Sequence, residues 1–290
     1  MQRHYQEIAF ATIVRMLTVA SLFTLLFITA FILKESLQIF NEVSVREFVT
    51  GRQWRPVSVN PRFGLWPIIS ASIVVSSLAL LLALPAAVGS SLFLAHVCPH
   101  RLRRPLRMLM DIMAGIPSVI YGFIGVVVLL PFMERLFDMS SGDSLLAGGI
   151  ILAVMILPFI ISTTAESMEL AARGYVTVSS SMGVSRWYML RNLVLPVSTT
   201  GVIAGAILGV SRAMGETMAV IMVVGNSPLM PFDLLERIKP IPALIALEIG
   251  SAPLNSMHYH SLFGAGFVLL VLLMVINLIF YFLRKRLSNT

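Results

Sequence analysis

The stretch SRAMGETMAV, residues 211–220, sets an arginine and a glutamate four positions apart in otherwise apolar surroundings. On a continuous helix Arg212 and Glu216 would stand one turn apart on one face, close enough to pair. A guanidinium is permanently charged, and its planar fork of donors suits a carboxylate or the oxygens of a phosphate-like anion. An ionised arginine at the centre of a membrane helix costs about 2.5–3.5 kcal/mol on insertion scales. Pairing offsets part of that cost, although arginine before glutamate is the weaker order along a helix. Buried ion pairs are in any case a poor source of net stability. The chemistry on offer is therefore the binding and gating of an anion, with Glu216 as a counter-ion that the anion displaces. Thr217 is grouped with them, and a purely structural pair is the alternative.

Other chemistries lack their residues. There is no GxxxxGK[ST] phosphate loop, no HExxH and no GxSxG, so no ATP site, cofactor or catalytic set is expected in the chain itself. His258 and His260, two positions apart, would not share a helix face and could meet a metal only from a loop. The single cysteine, Cys98, excludes an internal disulfide framework.

The elements that must position Arg212 are membrane helices. Of 290 residues 57% are hydrophobic and 12% charged, with a mean hydropathy of +0.89, against roughly 25% charge in soluble domains. Apolar runs of spanning length cover 13–33, 67–97, 108–133, 145–165, 197–224 and 262–283. They predict an all-α integral membrane protein with six transmembrane helices, a single domain over 1–290. Strand-like alternation is absent, which argues against a β-barrel. The first run is long for a signal peptide and carries no small-x-small cleavage pattern, so it reads as a retained signal anchor.

The net charge of +7 is placed as a membrane protein places it, and not as a nucleic-acid surface. Arg101, Arg103, Arg104 and Arg107 crowd one short loop; Arg173, Arg186 and Arg191 another; Arg284, Lys285 and Arg286 close the chain. With alternating helices these fall on one side, which the positive-inside rule makes cytoplasmic, and both termini lie there. The opposite loop 134–144 is acidic. The first outer loop, 34–66, carries five basic and three acidic residues, but long loops obey the rule weakly. Within it Leu37, Phe40, Val43 and Phe48 suggest an amphipathic interfacial helix anchored by Trp54 and Trp66, or a docking element for an external partner.

Three further patterns bear on the passage. Gly201, Gly205, Gly209 and Ala213 recur every four residues, the small-xxx-small ridge of close helix contact, beside which Arg212 and Glu216 would lie. Gly115, Pro117 and Gly122 break the third run, either as a packing kink or as a lining of the translocation route. The segment 166–195 fits two short helices around a turn at Gly183, with Val184, Trp187, Tyr188 and Leu190 sharing the second with Arg186 and Arg191. By periodicity it lies on the membrane surface or docks a cytosolic protein.

The residues RAMGETMAVIMVVGNSP (212–228) closely resemble the signature of phosphate ABC-transporter permeases of PstC type. The similarity extends to LRRPLRMLMDIMA (102–114), AGIPSVIYGFIGVVVLLP (114–131), ILAVMILPFI (151–160) and MGVSRWYMLRNLVLP (182–196), in the expected order. One departure stands out: where the family loop has a glutamate six residues before the glycine, this chain has Thr177, followed by Val178 and Ser179.

The resemblance implies a type I importer permease of MetI-like architecture in a cell inner membrane. It implies a second homologous permease to complete the passage and two ATP-binding subunits that carry ATP and Mg. An external phosphate-binding protein would deliver the substrate. The coupling residues would be Thr177, Ser181, Gly183, Ser185, Arg186, Trp187 and Arg191. The rival readings are the same machine for molybdate, tungstate or a phosphonate, a channel or secondary transporter that needs no ATPase, and a membrane enzyme.

Overall fold

A computed structural model describes residues 2–288, and the side chains of all but positions 2–6, 8, 9, 176, 177, 180, 287 and 288. Helix α1 (Gln2–Leu37) ends in a 3-10 turn, Gln38–Asn41. A short helix α2 (Val45–Thr50) follows, capped by the Ser44 hydroxyl, which accepts the Glu47 N–H. Strands β1 (Trp54–Arg55) and β2 (Arg62–Phe63) pair antiparallel with Trp54 opposite Phe63. Helix α3 (Trp66–Leu92) continues through a π-helical turn, Phe93–Val97. Helix α4 (His100–Gly115) precedes a span made of α5 (Ser118–Ile124), the π turn Gly125–Leu129 and α6 (Leu130–Phe137). Helix α7 (Leu145–Ser181) is the longest among the described residues. Then come α8 (Arg186–Met189), the π turn Leu190–Val194, α9 (Leu195–Val197) and α10 (Thr199–Gly215). The last elements are α11 (Met218–Ile221), α12 (Ile241–Glu248) and α13 (Met257–Ser288).

Among the described residues five helical stretches are long and apolar enough to cross a membrane, and the bent pair Arg186–Val197 and Thr199–Gly215, at 59°, makes the sixth. The π turns at Gly125–Leu129 and Leu190–Val194 each run into a Leu-Pro step, Pro131 and Pro196. Proline cannot donate to the carbonyl one turn back and its ring crowds that carbonyl. A widened turn upstream relieves the crowding and bends the axis.

Helix α7 is the centre of the bundle. Ala71, Val75, Ala79, Ala83 and Ala87 of α3, four apart and almost wholly buried, pack in one cluster with Leu152, Met155, Ile156 and Ile160 of α7. Small side chains in that row let the two backbones close on each other, as helices in lipid require. Ser91 Oγ locks the crossing by donating to the Ile161 carbonyl at 3.1 Å. Helices α1 and α13 pair along the side of this core, with Phe31 edge-on to Phe263 at 5.6 Å. The end of α1 meets the start of α13, so both chain ends leave the bundle at one face, the termini face. The opposite face is the loop face.

The structure corrects four expectations. The third span runs from Ser118 to Phe137, not from 108. Residues 100–115 form the separate amphipathic helix α4, which buries none of its residues fully; its arginines on the polar face cannot enter hydrocarbon. The fifth helix stops at Gly215 and does not reach 224. The stretch 166–195 is not two short helices, because α7 runs unbroken to Ser181 before the turn. Finally, Trp54 is no interfacial anchor. It is 4% exposed and belongs to a cap over the loop face with Ile39, Phe48, Phe63, Leu244 and Leu262. Trp66, at 39%, keeps an open flank.

Candidate translocation site

The chain breaks just before α5 and again just before α11, and these two short helices meet. Ile116 and Pro117 are extended (ψ 128° and 136°) between α4 and α5. A residue before proline is pushed out of the helical region, so the break follows from Pro117. The Tyr121 hydroxyl bridges it by donating to the Met113 carbonyl at 2.8 Å. Between α10 and α11, Glu216 is extended (φ −72°, ψ 128°). A Cβ added at Gly122 would lie 3.0 Å from Ala219 Cα and 2.7 Å from Met222 Sδ, so α5 and α11 touch through this glycine. Gly115 and Gly215, at the two breaks, have nothing within 4 Å of such an atom.

The break changes the fate of the charged pair. Because Glu216 has left the helix, it no longer continues the row that carries Arg212. Among the described ion pairs none joins the two. Arg212 instead lays its guanidinium over the Phe159 ring of α7, 4.3 Å from the centroid. Its Nε is buried and has no hydrogen-bond partner. Glu216 Oε1 accepts the Ala219 N–H at 3.3 Å and so caps α11. Thr217 Oγ1 donates to the Gly215 carbonyl at 3.4 Å, and Ser211 Oγ to Asn277 Oδ1 of α13 at 3.0 Å. Arg212 lies thirteen residues along α10, roughly 20 Å from its start at 1.5 Å per residue. A half-buried, permanently charged fork at that depth, not occupied by a carboxylate, can take an anion's oxygens.

The small-residue ridge of α10 is turned to α7 of the same chain. A Cβ at Gly201 would fall 2.1 Å from Ser167 Oγ, one at Gly205 3.0 Å from Thr164 Oγ1, and one at Gly209 2.8 Å from Ile160 Cδ1. Ala213, next in the row, is buried.

At the termini face, Ser181 ends α7 and Gly183 turns the chain at φ +69°, a conformation that favours glycine. The Ser185 hydroxyl caps α8 by accepting the Tyr188 N–H at 3.2 Å. Arg186 donates to the His96 carbonyl, which pins α8 to the end of α3. Met182, Trp187 and Tyr188 stand 74%, 63% and 57% exposed, and Arg191 is exposed beside them. The Thr177 side chain lies outside the described residues. Nearby, Arg107 of α4 pairs with Glu169 of α7.

The two loop-face histidines do not converge. His258 faces Glu248 at 2.8 Å and His260 lies 3.3 Å from Glu35, and among the described residues no three acidic, histidine or cysteine side chains could hold a metal. Sequence reasoning missed Phe159 because an aromatic in an apolar run carries no mark of its partner. It missed the Glu248 cluster because its members are far apart in the chain.

Residues 87–289 match the family model described as the binding-protein-dependent transport system inner membrane component. A probable ABC transporter permease of Bacillus subtilis, YqgH, is 34% identical over 89% of this chain and 84% of its own length. Phosphate transport system permease proteins PstC are 33% identical: that of Mesorhizobium japonicum covers 83% of this chain and 79% of itself, and a probable one from Methanocaldococcus jannaschii 77% and 76%. In fold, the chain is similar to a bacterial ABC transporter involved in alginate import (TM-score 0.63, 16% identity, 93% of this chain and 95% of that one). It is also similar to the inward-facing MetNI methionine ABC transporter (TM-score 0.56, 18% identity, 77% and 94%). With six spans, an interrupted helix carrying Arg212 and a match over most of its length, this chain belongs to the inner-membrane permease family of binding-protein-dependent transport systems.

Proposed function

We propose that this chain is a transmembrane permease subunit of an ATP-driven phosphate importer. The observation that carries the reading is Arg212: a buried donor without a partner, on a guanidinium that no carboxylate occupies, at the end of an interrupted helix. Phosphate oxygens would be received by its free N–H groups, with Glu216 and Thr217 on the adjoining unwound segment. The printed function of the PstC relatives supports phosphate as the anion. A second, homologous permease would complete the passage. The termini face would be cytoplasmic, in keeping with its arginine-rich loops. The exposed Met182, Trp187 and Tyr188 around Gly183, with Arg186 and Arg191, offer a surface for one of two ATP-binding subunits, which would carry ATP and Mg. Ser181 and Ser185 flank that surface, and Thr177 would belong to the same coupling element. The loop-face cap would receive an external phosphate-binding protein.

The test is uptake of radiolabelled phosphate by the reconstituted complex, with molybdate, tungstate and a phosphonate as competitors. Arg212→Gln should assemble normally and lose uptake. Normal import by that variant, or faster import of another oxyanion, would overturn the reading.

A further inference from the structure

Among the described residues no carboxylate pairs with Arg212, and the residue that holds it is Phe159. We propose that Phe159 is the positioning residue of the anion path, presenting the Arg212 guanidinium with its hydrogen-bonding edge free. The inference rests on the reading of Arg212 as the anion's ligand.

The geometry carries it. A guanidinium has five N–H donors, all in its plane. A carboxylate partner would engage two of them in a fork-to-fork contact. An aromatic ring engages only the face of the cation, through its quadrupole. The guanidinium carbon lies 4.3 Å from the Phe159 centroid, well inside the roughly 6 Å over which that attraction acts. The Nε is buried and unpartnered, and the nearest carboxylate in sequence, Glu216, is engaged by the Ala219 N–H. The cation is thus positioned with its donors unspent.

The ring is fixed by the fold. Phe159 sits between Pro158 and Ile160 of α7, and Ile160 is fully buried. That isoleucine is the side chain against which Gly205 and Gly209 of α10 close. The glycine contact therefore sets the register of α10 on α7, and Arg212 lies three residues, just under one turn, beyond Gly209. Any side chain at 205 or 209 would lift the arginine off its ring. An anion arriving at this site meets donors already aimed and displaces no carboxylate, so the energy of its capture is not spent on breaking an ion pair.

The decisive experiment varies the ring's electrostatics at nearly constant shape. Phenylalanine analogues carrying one, two and three ring fluorines are placed at 159 by suppression, in the complete complex in proteoliposomes. Inorganic phosphate uptake and ATPase rate are measured at saturating binding protein. Uptake should fall stepwise with fluorination, by roughly two- to thirtyfold in all given the usual strength of such contacts. Phe159→Trp should keep uptake, and Phe159→Leu should fall to the trifluoro level. A flat fluorine series overturns the proposal, since mere packing would be blind to it. Arg212→Gln is run alongside: if it imports normally, the anion-ligand reading fails and this inference with it. If it is inactive while the series stays flat, only the role of Phe159 falls.

Discussion

The indole N–H of Trp54 donates to Glu248 Oε2 at 3.0 Å, joining the first loop-face hairpin to the end of α12 across 194 positions. The same carboxylate accepts Lys239 Nζ at 2.8 Å and meets His258 Nε2 at 2.8 Å. Burial pushes its pKa up, but the hydrogen bonds from Lys239, Trp54 and His258 outweigh burial and hold it below the usual glutamate value. A carboxyl with a depressed folded value contributes stability that is present above its unfolded pKa, about 4.3, and is lost as pH falls through the folded value. The cap should therefore loosen below about pH 4, seen as faster hydrogen exchange at residues 45–65. Glu248→Gln should weaken the cap at neutral pH by about 1.5–3 kcal/mol and flatten that acid limb.

Gly201 leaves no room for a side chain against Ser167. Gly201→Val should cost about 1–3 kcal/mol through overpacking, read as a lower melting temperature and reduced yield of the purified chain. Gly215→Ala, with open space around it, should melt within about 0.5 kcal/mol of the parent.

The Tyr121 hydroxyl ties the two sides of the Pro117 break through the Met113 carbonyl. Removing it leaves that carbonyl with the Ile116 N–H at 3.4 Å as its donor, in a part-buried place. Tyr121→Phe should destabilise by about 1 kcal/mol and raise exchange at Ile116, measured by hydrogen–deuterium exchange.

Trp187 is 63% exposed, so its removal should leave folding within about 0.5 kcal/mol. If the termini-face patch docks an ATP-binding subunit, Trp187→Ala should still weaken co-purification of that subunit. Gly183→Ala should cost about 1–2 kcal/mol, because its φ of +69° is left-handed. Co-purification at parental level by both variants would place the docking surface elsewhere.

The helices of the bundle were legible because twenty apolar residues in a row have few other fates. The ridge of Gly201, Gly205 and Gly209 was legible as a contact, although only the structure names Ile160, Thr164 and Ser167 as its partners. The ends of helices were harder. The apolar count of 108–115 resembles that of the true span, yet α4 is a surface helix whose arginines hold it off the bilayer. The fate of Glu216 turned on a single backbone torsion, which hydropathy does not record. Trp54 looked like an interfacial anchor because its acceptor, Glu248, is brought to it only by the closed cap. The geometry at Phe159 was illegible for the same reason, since register between two helices belongs to neither sequence alone.

The stop of α10 at Gly215 has an electrical consequence. A helix that ends leaves its last carbonyls without the N–H of a following turn, and the aligned peptide dipoles sum to about half a negative charge there. Arg212 stands in that last turn. Had the helix run on to 224, the same guanidinium would have sat in the neutral middle of a rod. By ending early the chain surrounds its cation with a field that favours it by about 0.3–2 kcal/mol. That field comes from the backbone, so it stays in place whether or not an anion is passing.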